Sequence, residues 1–146
     1  MELTINRDRI ESRLLQLARI GQVGDTGVCR LAHSREDRQA VDLVKSWMEE
    51  AGLMATIDAF GNLIGRLEGS GGSAASALMV GSHIDSQPYG GRFDGVVGVL
   101  GALEAVQTMI ERTKTPAAPI EIAAFSDEEG TRFQKGLFGV RGILGR

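Results

Sequence analysis

Two apolar runs that end abruptly in polar residues constrain this chain more than any other feature. Ala77-Leu78-Met79-Val80-Gly81 leads straight into Ser82-His83-Ile84-Asp85, and Ile120-Glu121-Ile122-Ala123-Ala124-Phe125 leads into Ser126-Asp127-Glu128-Glu129-Gly130. The first run is continuously apolar and is expected to be a strand buried on both faces; the second reads as another strand. Between them Val99, Leu103, Val106 and Ile110 recur at helical spacing, predicting a helix from about Val96 to Arg112 that Pro116 and Pro119 stop. Strand, loop, helix and strand in this order predict a right-handed crossover within one sheet, with ligand chemistry beyond the carboxyl ends of the strands.

The rest of the chain supplies further elements. Ile10, Leu14, Leu17 and Ala18 predict a first helix over about residues 6–20, with Asn6 as a cap and Gly21 as a stop. Residues 21–27 are too rich in glycine to be regular, and Ser34 with Asp37 three positions on resembles a capping box. A second helix follows, with Ala40, Val41, Val44, Trp47, Met48 and Ala51 on its apolar face and Gly52 at its end. Residues 54–59 and 63–67 read as two strands of an antiparallel hairpin joined through Gly61-Asn62. Residues 69–76 read as a loop, and no internal repeat occurs.

Composition narrows the function. A chain of 146 residues is about one domain long, and Lys+Arg at 16 against Asp+Glu at 19 leaves no basic footprint for nucleic acid. No apolar run approaches the roughly 20 residues that span a bilayer, and the first residues lack the apolar core of a signal peptide, so a cytoplasmic location is expected. The single cysteine, Cys29, excludes a disulfide framework and a cysteine-built zinc cage.

The polar strand ends hold the candidate chemistry. His83 and Asp85 lie two apart, so on a continuing strand the Asp85 carboxylate could meet one imidazole nitrogen while the other faces a metal. Taken alone, the tripeptide fits a histidine satisfied by a neighbouring acid better than a ligand. Asp94, flanked by glycines just before the predicted helix, is free to be aimed, but by itself fits a helix cap. Glu128 and Glu129 point in different directions, which allows one to bind metal and the other to take a proton from water; a solvated acidic turn is an even alternative. Gly95, Gly98 and Gly101 form no dinucleotide fingerprint and are expected to let the helix pack closely on the sheet. A histidine with three or four acids at strand ends fits zinc or manganese. Rival chemistries lack support: no Gly-x-Ser-x-Gly elbow is present, and Cys29 with His33 has no local cysteine-enzyme signature.

The stretch from Gly81 to Gly95, followed by Phe125 to Phe133, closely resembles the hydantoinase/carbamoylase amidase group of the aminoacylase-like zinc metallopeptidases. That group includes N-carbamoyl-L-amino-acid hydrolases, allantoate amidohydrolases and β-ureidopropionases. Gly24-Asp25-Thr26-Gly27-Val28 and Ala59-Phe60-Gly61-Asn62-Leu63 extend the resemblance over nearly the whole chain. It implies an α/β fold, a partial three-layer αβα sandwich of the zinc-exopeptidase type with a mixed sheet. It also implies two divalent metal ions, zinc or else manganese, cobalt or nickel. By analogy His83 binds one metal, Asp94 bridges the two, Glu129 binds the second, Glu128 is the general base and Asp85 orients His83. A strained cis peptide is expected at Asp94-Gly95.

The implied substrate is a small carbamoyl or ureido amino acid, with no nucleic acid or membrane partner, and full-length members are implied to be homodimers. An aminoacylase or dipeptidase of the same superfamily, or a silent remnant, are the alternatives. The family needs two further histidines downstream, whereas the only other histidine here, His33, lies upstream and matches no ligand motif. Residues 1–146 are therefore expected to be the N-terminal part of a catalytic metal-binding domain, without its remainder or the lid and dimerisation domain.

Overall fold

The computed structural model describes residues 3–71 and 76–146, so the loop expected over 69–76 falls partly outside it. In chain order the elements are α1 (Arg7–Ala18), β1 (Gln22–Val23), β2 (Gly27–Val28), α2 (Arg35–Glu50), β3 (Met54–Ile57), β4 (Leu63–Leu67), β5 (Leu78–His83), β6 (Gly90–Gly91), α3 (Val96–Glu111), β7 (Ile120–Phe125) and α4 (Phe138–Ile143). The main sheet has the order β3-β4-β7-β5. β3 and β4 form the expected antiparallel hairpin, β4 pairs antiparallel with β7, and β5 pairs parallel with β7, so the sheet is mixed as the resemblance implied. The crossover through α3 thus joins adjacent parallel strands and puts the carboxyl ends of β5 and β7 side by side.

Local chemistry explains where the helices start. The Asn6 side chain accepts the Arg9 N–H at 3.1 Å, and the Ser34 hydroxyl accepts the Asp37 N–H at 3.1 Å, each satisfying a donor of a first helical turn. Asp37 reaches back at 2.7 Å to the His33 N–H rather than to that of Ser34, a capping box shifted by one residue. Burial holds the Asp37 carboxyl above its ordinary range, with the His33 N–H opposing the shift.

Leu17 of α1, Val44, Trp47 and Met48 of α2, and Val99, Leu100 and Leu103 of α3 share one core with Leu63, Ile122 and Ala124 of the sheet. Apolar burial of about 25 cal/mol per Å² drives their association. Polar groups then fix the geometry. Glu104 of α3, only 1% exposed, accepts the Asn6 N–H at 2.8 Å and the Arg9 Nε–H at 2.7 Å, which ties α1 to α3.

Several expectations are corrected. β5 is not buried on both faces: Leu78 is 61%, Met79 38% and Val80 40% exposed, because among the described residues β5 is the edge of the sheet and bonds only to β7. The irregular segment over 21–27 holds β1 and β2, which with β6 make a small antiparallel sheet. Strands of two residues are too short to show a period. No peptide bond among the described residues is cis, so the expected cis bond at Asp94-Gly95 is absent; Gly95 turns the chain with φ 66° instead. Close packing of α3 holds at Gly98, where an added Cβ would lie 2.8 Å from Ser82 Cβ, but not at Gly101, which has open space.

Candidate metal centre

His83 is the last residue of β5, and its ring is held by main chain. Nδ1 lies 3.0 Å from the Asp85 carbonyl oxygen. A carbonyl only accepts, so Nδ1 carries a proton, and Nε2 is the nitrogen that faces the site. The Asp85 carboxylate stands 3.7 Å from Nδ1 and serves chiefly another purpose: its two oxygens accept the N–H groups of Glu128 at 3.3 Å and Glu129 at 3.4 Å. Asp85 therefore couples the end of β5 to the end of β7. Burial pushes its carboxyl up to about 6, against the lowering pull of His83 and of those two N–H groups.

The loop after β5 returns to the site at Asp94. Gly95 sits so close to the His83 ring that a Cβ would collide with it, and its positive φ suits glycine. Asp94 itself is exposed and makes no side-chain cap for α3, so the capping alternative is not realised. From the other strand, Glu128 Oε2 lies 3.4 Å from His83 Nε2, and Glu129 Oε2 accepts a hydrogen bond from Gln87 Nε2 at 2.8 Å. Both glutamates are half-buried, which sets aside a freely solvated turn. One ligand atom each from His83, Asp94 and Glu129 falls within 4.8 Å of the others. One imidazole nitrogen and two carboxylate oxygens gathered at this spacing could hold a borderline divalent cation.

Some functional neighbours escaped sequence reasoning. Arg30 is 1% exposed and donates to the carbonyls of Ile84 at 2.6 Å, Leu17 at 3.0 Å and Ile20 at 2.9 Å, bracing the residue between His83 and Asp85. Burial lowers its pKa, opposed by Asp37 and Asp85. Nothing local marks that role, since all the partners are main-chain carbonyls remote in sequence. Gln87 carried a signal only in its place between candidate ligands. His33 is not gathered with them; its Nε2 lies 3.1 Å from Ser126 Oγ.

A family model described as peptidase family M28 matches residues 62–145. The chain belongs to this family. It is 51% identical over 144 residues to an N-carbamoyl-L-amino-acid amidohydrolase of Pseudomonas sp., a match covering 99% of this chain and 34% of the relative. With allantoate deiminase 1 of Glycine max it shares 40% identity over 145 residues, 97% of this chain and 29% of that protein. The crystal structure of a hydantoinase/carbamoylase family amidase from Burkholderia ambifaria matches with a TM-score of 0.94 at 40% identity, over 98% of this chain and 35% of that one. The resemblance read from the motifs is thus borne out for this M28 member, and the chain spans about a third of the length of these relatives. Among the described residues, no helix is long and apolar enough to cross a membrane.

Proposed function

We propose that this chain is the N-terminal, metal-binding part of the catalytic domain of an amidohydrolase that cleaves the C–N bond of N-carbamoyl-L-amino acids or allantoate. The observation that carries the reading is the convergence of His83 Nε2, Asp94 and Glu129 with Glu128 beside them. The names of the relatives supply the substrate class: a small molecule with a carbamoyl or ureido group.

His83, Asp94 and Glu129 would hold divalent metal. When bound, such ions supply Lewis acidity toward the ureido carbonyl and make water a better nucleophile near neutral pH. The chain's own residues do the rest. Glu128 takes a proton from the attacking water and returns it to the leaving nitrogen. The Asp85 carbonyl keeps the proton on Nδ1 of His83, which leaves Nε2 free for the metal. Gln87 occupies one oxygen of Glu129 and so limits the orientations of that carboxylate.

The test is metal content of the purified chain beside His83→Ala, followed by ammonia release from N-carbamoyl-L-amino acids and allantoate beside Glu128→Gln. The expected result is metal that His83→Ala loses and Glu128→Gln keeps, with any ammonia release by the parent chain absent from both variants. Metal no higher in the parent chain than in His83→Ala would overturn the reading.

A further inference from the structure

Glu128 and Glu129 stand on a long loop, and loops are ordinarily the mobile part of a fold. This one is fastened from inside. Asn62, fully buried beside the start of β4, accepts the Ser126 N–H on Oδ1 at 2.9 Å and donates from Nδ2 to the Gly139 carbonyl at 3.1 Å. One side-chain amide therefore joins the first residue of the loop to the first turn of α4. Nδ2 also donates to Asp58 Oδ2 at 2.8 Å, which holds the amide plane in place. The Gly139 N–H closes the same joint on the Ser126 carbonyl at 2.8 Å, and a Cβ on Gly139 would run into Asn62 Oδ1.

Asp127 braces the loop from within. It is fully buried and has a left-handed φ of 47°, a conformation aspartate tolerates better than most residues. Its two carboxylate oxygens accept the N–H groups of Arg132 and Phe133, each at 3.0 Å. Its carbonyl accepts those of Gly130 at 3.3 Å and Phe138 at 3.2 Å. Of the three consecutive acids, this one is spent entirely on main chain.

We propose that Asn62 and Asp127 are positioning residues: together they set the main-chain path that carries Glu128 and Glu129. The inference rests on reading those two carboxylates as base and ligand. A loop without this clamp would have to be ordered when metal binds, and that entropy would be subtracted from the affinity.

The experiment uses the 146-residue chain and its variants Asp127→Asn, Asp127→Ala and Asn62→Ala. It reads amide hydrogen exchange by NMR and zinc affinity by titration calorimetry. Asn at position 127 keeps one acceptor and Ala keeps none. Exchange at Glu128 and Glu129 is expected to speed up about ten-fold in Asp127→Asn, one hydrogen bond's worth, and further in Asp127→Ala. Zinc affinity should fall in the same order, while the amides of Ile122 and Ala123 in β7 keep their protection. Exchange that is unchanged at the two glutamates, or that rises only in step with β7, overturns the proposal. Faster exchange with unchanged zinc affinity overturns it too. If Asn62→Ala fails to fold, the graded pair at Asp127 decides. If the parent chain binds no zinc, the reading of the metal centre falls, and exchange alone decides whether the clamp sets the loop.

Discussion

β5 and β7 are parallel neighbours of equal length, each running an apolar stretch into a polar end, yet they live in different environments. β7 lies between β4 and β5 and buries Ile122 and Ala123 completely, whereas β5, among the described residues, bonds on one side only and leaves Leu78 61% exposed. Apolar content measures what a strand can bury; the neighbours decide what it does bury. The difference reaches the candidate centre. Glu128 and Glu129 rise from a central strand, while His83 stands on the edge and is held by other means. Those are the Asp85 carbonyl on Nδ1, the Arg30 bond to the Ile84 carbonyl, and Gly95 pressed against the ring.

A charge placed on each strand gives the sharpest contrast. Ala123→Lys puts an unpaired ammonium in the sheet interior and is expected to cost more than about 3 kcal/mol or to prevent folding. Met79→Lys, on the exposed edge, should stay within about 0.5 kcal/mol of the parent in urea unfolding. A large loss at Met79 would mean that β5 is covered in solution, which breaks the comparison.

Truncation gives a smaller effect of the same sign. Ile122→Ala should cost about 2–5 kcal/mol and Val80→Ala less than about 1, because only the first leaves a cavity that its surroundings cannot fill. Equal losses in denaturant midpoint would show that the two sites are packed alike.

The smallest contrast lies on α3, which crosses over to the sheet. Gly98→Ala forces a methyl against Ser82 of β5 and is expected to destabilise by about 1–3 kcal/mol. Gly101→Ala meets open space and should raise thermal stability by up to about 1 kcal/mol through helix propensity. Similar shifts in the two melting curves would deny the close approach of α3 to β5.

Much of this was legible in the residues. Asn6 and Ser34 announced the first two helices because capping is local chemistry, and α2 showed its packing face because a helical period repeats over sixteen residues. The strand–helix–strand order placed His83 and the acidic triplet at neighbouring strand ends, since a crossover leaves few other arrangements. β1, β2, β6 and α4 were not legible: strands of two residues and a helix of six carry too little pattern to read.

The sequence by itself determined the order of strands and helices and the residue types at the candidate centre, because periodicity, caps and motif spacing act over a few residues, and its motifs carried the resemblance to the family. Only the tertiary structure decided that β5 is an edge, that Asp85 spends its carboxylate on the N–H groups of Glu128 and Glu129, and that Asn62 and Asp127 lock the acidic loop. Each of those facts is a pairing between segments far apart in the chain or an accounting of buried donors and acceptors. Such terms exist only once the distant partners have been brought together.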